Sequence, residues 1–355
     1  MKIVITKRFF PLDRKLQLRS DHWSGGVARI ATQHGLQSKS FALASELFSD
    51  ATGCEISRES LRKVTQGWGE KVSEKREREA LALFDPHEDP NAEIVTVTKG
   101  IAKQASISTD GGFVHVLEDG WKEVKMTTIS SVRPKNKHEK SKKQKGMSYQ
   151  PPEQEMMLEE HSYQVGLWEA SQMRKHQYRS GLRRELEDCP IVSSTNDGAL
   201  WIKRITAENF PDAVQIVDWF HAAEKIWKIG KETISNQEKR QAWAEDRLND
   251  LWMGRLENVR TDLTNLDTRR AINVDEVQKE IGYFDNQQDR MKYDQYRLAG
   301  YPIGSGAVES GINGVVHHRM KRQGRGWKRD NVNPMLAALS ELHSGRFRQE
   351  WEVTQ

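Results

Sequence analysis

The sequence is poor in cysteine and contains no long apolar run. Among its 355 residues only Cys54 and Cys189 are cysteines, too few for a disulfide framework or a cysteine-rich zinc site. No stretch reaches the apolar length of a membrane span, and the start MKIVITKRFF lacks the core and cleavage site of a signal peptide. We therefore expect a protein of a reducing cytoplasm that has no membrane partner.

Charge is abundant and unevenly distributed. The net charge is only +4, but the stretch RPKNKHEKSKKQKG, residues 133–146, holds seven Lys or Arg against one Glu. It contains no large apolar residue, so we expect a mobile basic loop over residues 133–150. A second basic cluster follows an apolar helical stripe near the C-terminus, which favours phosphate binding over a merely solvated face. Its members are Arg319, Lys321, Arg322, Arg325, Lys328 and Arg329.

The N-terminal region, residues 1–93, shows helical periodicity over residues 22–85. The run SFALASELFSDATG ends at Gly53, and Ser57 is placed to cap a second helix whose apolar face includes Leu61 and Trp68. Two helices so spaced resemble a helix-turn-helix, although a plain helical hairpin fits equally well. We interpret this region as a candidate DNA-binding unit.

From residue 94 the pattern changes to β-branched, alternating residues. EIVTVTKG, ASISTDGGFVHVL and WKEVKMTTISSV predict an antiparallel meander, and SYQVGLWEASQMRKHQYRSGLRREL predicts a helix. Then CPIVSSTND and AVQIVDWF predict two further strands, with the helix GALWIKRITAENFP between them and the helix HAAEKIWKIGKETI after them. A helical crossover joins parallel strands, and this order of elements is that of a ribonuclease H-like α/β sheet.

Two aspartates lie where such a sheet carries its chemistry. Asp110 falls within SISTDGG and Asp197 at the end of the fourth strand, and both strands are neighbours in this topology. An Asp-Gly pair is often only a turn, which we accept for Asp119-Gly120 between two strands. Because Asp110 and Asp197 occupy strand positions, we expect their carboxylates to converge and to bind Mg²⁺ or Mn²⁺.

The stretch GYPIGSGAVESGINGVVHHRMKRQGRGW supplies a third carboxylate. Ser305 can cap a helix with a stripe of Val308, Ile312, Val315 or Val316, and Met320, while small residues keep the surface around Glu309 open. Asn313 shares the face of Glu309 one turn on. The helix would begin at the metal site and end in the basic cluster, so Glu309 is predicted as the third ligand.

Three blocks of this sequence together resemble a known family. They are ISTDGGFVHV…WKEVK, NDGALWIKRI…FPDAVQIVDWFHAAEKIW and GYPIGSGAVES.N….RMK..G..W. In this order they are similar to the Kra-type insertion-sequence transposases, a prokaryotic DDE group related to the Mutator superfamily. The resemblance spans nearly the whole chain, and even RFFPLDRKLQL is similar to the segment that follows the family's N-terminal zinc ribbon.

The resemblance implies DNA strand cleavage and strand transfer at element ends, with Asp110, Asp197 and Glu309 as catalytic triad and ligands of two Mg²⁺ or Mn²⁺ ions. Asp218 and His221 would match the family's Asp/Cys-x-x-His element, which with Asn313 would support the ligands or contact DNA. Residues 94–223 and 299–355 would form the catalytic core, with an all-helical insertion at 224–298. Its tryptophans, Trp243 and Trp252, are by default core residues.

The resemblance also implies partners and a location. These are element-end and target DNA, further copies of the chain on that DNA, and the nucleoid of a prokaryotic cytoplasm. Zinc-ribbon cysteines are missing, so the reading frame would be truncated or an upstream frame would supply that module. Two alternatives stay open: a ribonuclease H-like nuclease without strand transfer, and a domesticated DNA-binding protein whose triad is no longer used.

Overall fold

The structure is a computed structural model that describes residues 23–85, 100–101, 103–136, 155–322 and 324–354. The sequence RFFPLDRKLQL, most of the predicted strand EIVTVTKG and most of the basic loop at 133–150 lie outside these residues. The α-helices and strands are α1 Gly25–Gln37, α2 Phe41–Thr52, α3 Arg58–Ala82, β1 Gln104–Val116, β2 Gly120–Pro134, β3 Met156–Gly166, α4 Ala170–Leu182, β4 Ile191–Asn196, α5 Leu200–Asn209, β5 Val214–Val217, α6 Trp219–Thr233, α7 Gln237–Trp252, α8 Leu256–Thr264, α9 Val274–Gln287, α10 Tyr293–Leu298, α11 Gly306–Gly311, α12 His318–Met320, α13 Val332–His343 and α14 Phe347–Val353. Between α11 and α12 the chain forms a π-helical turn, Ile312–His317.

One five-stranded mixed sheet, in the order β3-β2-β1-β4-β5, organises the fold. The first three strands are antiparallel, whereas β4 runs parallel to β1 and β5 runs parallel to β4. The crossover helix α5 joins β4 to β5, as the sequence predicts. The mixed α/β fold class is therefore confirmed.

Strand β3 is where the sequence prediction is wrong. Residues 162–166 were predicted as the start of a helix, but they complete β3, and helix α4 begins only at Ala170. The short run SYQVG carries no decisive period, so pairing with β2 along most of its length decides its conformation. The register shifts between Ile129 and Ser131, close to Glu160, whose φ of 52° is left-handed.

The N-terminal helices form as their caps predict. Ser57 caps α3 by accepting a hydrogen bond from the Ser60 backbone N–H, and Gly53 ends α2 with a left-handed φ of 67°. Their buried residues, such as Leu61 and Trp68, join one hydrophobic core with strands β1–β3 and helices α11–α14. Helices α1–α3 thus share their core with the sheet, while DNA binding by this region stays a prediction.

A second hydrophobic core lies in the helices after β5. It contains residues of α6–α10, including the buried Trp252, while Trp243 is half-buried against it. The predicted boundary at residue 224 falls inside α6, which runs without a break from Trp219. No helix in the described ranges combines the length and apolarity that a membrane span needs.

Candidate active site

Asp110 lies inside a continuous strand and not in a turn. Its half-buried carboxylate accepts a hydrogen bond at Oδ1 from the Gly111 backbone N–H, at 2.7 Å. Gly112 packs under the π-helical turn, since a Cβ atom there would lie 2.8 Å from Cγ2 of Ile312. Gly112 therefore lets the helical segment after Glu309 lie close on the strand that carries Asp110, whereas Gly111 faces Glu123. Asp119-Gly120, by contrast, is the predicted hairpin turn, with a positive φ at Gly120.

Asp197 directly follows β4, the parallel neighbour of β1. Here the turn interpretation of Asp-Gly is correct, because Gly198 has a φ of 98° and Asp197 Oδ1 accepts a hydrogen bond from the Ala199 N–H. The turn and the carboxylate are compatible, since the turn sits at the carboxyl end of β4. Asn196 fastens this end to β1, because its Oδ1 accepts a 2.6 Å hydrogen bond from the Thr109 N–H.

Side chains of helix α9 and of the turn that follows it donate hydrogen bonds to the backbone of the Asp197-Gly198 turn. Tyr283 donates its hydroxyl to the Asp197 carbonyl at 2.7 Å, and Gln287 donates to the Gly198 carbonyl at 2.9 Å. Arg290 also donates to the Gly198 carbonyl, at 3.3 Å. A Cβ atom on Gly198 would meet the Tyr283 ring at 2.9 Å, so glycine is required by space as well as by φ. The sequence offered no signal for these three residues, since contacts between distant segments leave no periodic trace.

The hydroxyl of Tyr283 should set the position of the Asp197 carboxylate. We expect Tyr283→Phe to weaken Mn²⁺ binding by about tenfold, the lower end of the cost of losing a group that orients a metal ligand. Isothermal titration calorimetry with Mn²⁺ measures this directly. Tyr296→Phe is the matched control, because Tyr296 donates to the Asp289 carbonyl within the same helical segment. Equal Mn²⁺ affinity in both variants would show that the hydroxyl does not position Asp197.

Glu309 projects from α11, which begins at Gly306 after Ser305. Ser305 occupies the predicted cap position, but its hydroxyl donates to Glu309 Oε1 at 3.4 Å instead of accepting from the helix backbone. The predicted apolar stripe is buried as expected, from Val308 to Met320. The predicted helix is present but contains a π-helical turn after Gly311, and such turns widen the helix locally. Asn313 lies in this turn, exposed, with its side-chain oxygen 3.1 Å from Nδ1 of His317.

The Asp218 side chain connects the end of β5, helix α6 and the start of the helix that carries Glu309. It is fully buried, caps α6 by accepting a hydrogen bond from the His221 N–H at 2.9 Å, and accepts another from the Ser305 N–H. Nδ1 of His221 lies 3.4 Å from Asp218 Oδ1. The buried carboxylate therefore fixes the start of the Glu309 helix against the end of β5.

The pKa shifts show that the acidic groups act on one another. Burial is the largest cause that raises the pKa of Asp110 to about 6, and the negative charges of Asp197 and Glu309 add to it. The Asp218 carboxylate, 3.4 Å from Nδ1, raises the pKa of His221 to about 9, helped by the charges of Asp197 and Glu309. Hydrogen bonds from His221 and Ser305 outweigh burial and lower the pKa of Asp218. The charges of Asp197 and Glu309 thus reach Asp110 and His221.

The three carboxylates are the kind of ligand that a divalent cation prefers, but their oxygens are not all within 4.8 Å of one another in the described residues. Asp110, Asp197 and Glu309 each use one oxygen in a hydrogen bond to the protein, and within the described residues the other oxygen accepts none. Oxygen ligands of this kind fit Mg²⁺ or Mn²⁺, whose charge would also relieve the repulsion that raises the pKa of Asp110. A different grouping, Asp218 with His221 and Glu309, brings possible ligand atoms within 4.8 Å of one another. It is the one such grouping among the described residues, and its Asp218 carboxylate already accepts two N–H groups.

The basic cluster divides into buried and exposed members. Arg319 was predicted to bind DNA, but it is only 4% exposed, donates Nε to the Gly35 carbonyl and lies over the Phe41 ring at 4.4 Å. The structure corrects this prediction, because a buried guanidinium cannot reach a phosphate. Arg322 is half-buried and donates to the His318 carbonyl. The exposed members are Lys321, Arg325, Lys328 and Arg329, of which Arg329 is paired with Asp119.

No family model matches this chain, and no curated protein is significantly similar to it in sequence.

Proposed function

We propose that this chain is a DNA transposase of a prokaryotic insertion sequence, with a ribonuclease H-like catalytic core. The observation that carries the proposal is the parallel register of β1 and β4, in which Ile107 pairs with Ser194, so that Asp110 and Asp197 come level on neighbouring strands. The helical segment that begins with Glu309 packs on β1 where Ile312 meets Gly112. The sheet supports it, because three antiparallel strands followed by two parallel ones in the order β3-β2-β1-β4-β5 is the expected ribonuclease H-like arrangement. The resemblance of three sequence blocks to the Kra-type transposases supports transposition as the reaction.

Each acidic residue would have a defined task. Asp110, Asp197 and Glu309 would hold two Mg²⁺ or Mn²⁺ ions, which when bound activate an attacking oxygen and stabilise the leaving oxygen of a phosphodiester. Asp218 would hold the Glu309 helix in place, and the protonated His221 would keep a positive charge beside the carboxylates. The helical segment at 224–298 would act as the insertion, with Tyr283 securing the turn that carries Asp197.

The DNA would lie along the exposed basic residues that follow Glu309. Lys321, Arg325 and Lys328 are exposed on the segment after α12, so their charges can reach phosphates. These contacts contribute affinity without sequence choice, because they meet only the DNA backbone. Strand transfer also needs two DNA ends together, so further copies of the chain would assemble on the DNA.

Cleavage and joining at element ends test this function. The full chain is incubated in Mg²⁺ with a labelled duplex taken from the DNA that flanks its gene, together with a supercoiled plasmid as target. We expect metal-dependent nicking at a short inverted repeat and joining of the label to the plasmid, with neither product in EDTA. A duplex with the repeat scrambled is the control.

Two outcomes would change the proposal. Nicking at the repeat without any joining to the plasmid would favour the nuclease alternative. DNA binding without metal-dependent nicking would favour an inactive DNA-binding derivative.

A further inference from the structure

In the described residues, exposed Trp and Phe rings are few, and two of them lie on the β1–β2 hairpin. Among the described Trp and Phe residues three are exposed, Phe113 by 52%, Trp121 by 55% and Phe220 by 45%, while every other is buried or half-buried. Phe220 lies apart from the hairpin, between Asp218 and His221. Single exposed apolar side chains are ordinary, but two exposed rings on one hairpin suggest a ligand.

Phe113 and Trp121 belong to one continuous surface on the β1–β2 hairpin. Phe113 pairs with Glu123 and His115 pairs with Trp121, so these four side chains point to the same face. His115 packs edge-on against Trp121 with ring centroids 5.4 Å apart, and Leu117, 57% exposed, extends the face. We name Phe113, His115, Leu117 and Trp121 the hairpin surface. Because side chains alternate along a strand, the hairpin surface lies on the face of β1 opposite to Asp110, which shares its face with Gly112.

Positive charge lies beside the hairpin surface. The segment after α12 runs along the end of β1. The Trp327 backbone N–H donates to the His115 carbonyl, and the Trp327 carbonyl accepts a hydrogen bond from the Leu117 backbone N–H, both at 2.9 Å. Lys321 Nζ lies 5.8 Å from the centre of the Trp121 ring. This segment therefore brings its exposed cations next to the aromatic rings.

Two of the three acidic residues within residues 113–125 of the hairpin are already paired with a cation. Glu123 is paired with Lys125 at 2.8 Å, and Asp119 is paired with Arg329. The third, Glu118, accepts a hydrogen bond from the Arg329 backbone N–H, so one carboxylate faces three cations. Within the described part of the chain, Lys321, Arg325 and Lys328 form no ion pair. The neighbourhood thus combines accessible rings with an excess of cations, which is the chemistry that recognises single-stranded nucleic acid.

We propose that the hairpin surface binds unpaired nucleotides of DNA, whose bases stack on Phe113 and Trp121 while Lys321, Arg325 and Lys328 contact the phosphates. Rings bind bases of any sequence but need them unpaired, because paired bases are already stacked in the duplex. The inference rests on the proposed function in one respect: the single strand would be DNA of the element ends or of the target. A protein partner would use the rings but would gain little from unpaired lysine and arginine beside them.

Binding in EDTA tests the surface without any cleavage. The full chain is titrated against a fluorescein-labelled 20-nucleotide single strand of mixed sequence, its duplex, and an abasic strand of equal length. We expect Phe113→Ala with Trp121→Ala to weaken single-strand binding by about tenfold or more for each ring, the usual cost of a lost stacking partner. Abasic-strand affinity and the salt dependence of binding should stay unchanged, because the charges stay.

Matched variants separate stacking from charge and from fold. Phe113→Tyr with Trp121→Phe keeps two rings and should keep most of the affinity, and Ile272→Ala, at a residue 84% exposed in the helical segment, should change nothing. Lys321→Ala with Arg325→Ala should weaken binding to all three probes and lower the salt slope on the single strand by about 0.7 for each cation.

Three results would overturn the inference. They are unchanged single-strand affinity in the double aromatic variant, an equal loss on the abasic strand, or an altered oligomeric state by sedimentation with DNA binding unchanged. The last would make the hairpin surface an interface between copies of this chain. Failure of the proposed function looks different: wild type would then bind single strands through the rings yet show no metal-dependent nicking.

Discussion

Asp197→Ala should lose strand cleavage while it keeps its fold and its affinity for DNA. The side chain is half-exposed and its one protein hydrogen bond is to the local Ala199 N–H, so its removal costs little stability. The charge of Asp197, like that of Glu309, raises the pKa of Asp110. In the proposed function the three carboxylates bind the metal ions together, so removing one of them should disable the whole metal site. We expect cleavage to fall by at least about 10²–10³-fold, the usual cost of removing one group that stabilises transition-state charge.

Nicking of a labelled end-containing duplex in Mg²⁺ measures this loss, and a gel shift in EDTA checks DNA binding. Asp212→Ala is the matched control, because Asp212 is an exposed aspartate between α5 and β5, outside the site. An Asp197→Ala variant that nicks at a rate near that of the wild type would remove Asp197 from the catalytic set. Asp218 would then be the next candidate for the second carboxylate.

Asp218→Ala should be one of the most destabilising substitutions in the site. The change removes the cap of α6, the acceptor of the Ser305 N–H and the partner of His221, all at a side chain that is 0% exposed. We expect the free energy of unfolding to fall by about 3 kcal/mol, near the lower end for breaking a buried ion pair because His221 is partly exposed. Urea unfolding followed by circular dichroism measures it, with Asp212→Ala as control.

The same pair predicts how stability depends on pH. His221 has its pKa raised from 6.5 to about 9, so its contribution is fully present below pH 6.5 and is lost as pH rises through about 9. Asp218 has its pKa lowered, so its contribution is present above the unfolded value of about 3.8 and is lost in acid, below that value. In EDTA, wild type should therefore exceed His221→Gln by about 1 kcal/mol near pH 6, after solvent screening is allowed for, and by little above pH 9.

A difference between wild type and Asp218→Ala of less than about 1 kcal/mol would contradict the anchoring role of Asp218. So would a difference between wild type and His221→Gln that grows from pH 6 to pH 9.

Local signals in the sequence were sufficient for the strands that carry the aspartates. The alternation around Asp110 and the short apolar run before Asp197 each specify a strand, and the β4–α5–β5 crossover follows from connectivity alone. Strand β3 was missed because SYQVG has no clear period, so pairing with β2 overrides local preference. The π-helical turn after Gly311 was missed for a similar reason, since one extra residue in a helical turn barely disturbs an apolar stripe.

Long-range contacts account for the rest of what the sequence could not predict. The sequence alone suggests that Arg319 is one more exposed cation in a basic run. Only its contacts with Gly35 and Phe41 show that it joins the N-terminal helices to the core. Tyr283 lies 86 residues after Asp197, yet its hydroxyl meets the Asp197 carbonyl. Asp218 was predicted as a supporting residue, but the second bond that it makes, to the Ser305 N–H, depends on two distant loops meeting.

Locating a bound cation tests the central claim most directly. Crystals of the full chain are soaked in Mn²⁺, and anomalous diffraction is collected at the manganese edge from wild type and from Glu309→Gln. The account predicts anomalous peaks about 2.0–2.2 Å from carboxylate oxygens of Asp110, Asp197 and Glu309, weakened or absent in the variant. Peaks only at the Asp218–His221 pair, or none near Asp110 while Mn²⁺ binds elsewhere, would contradict it.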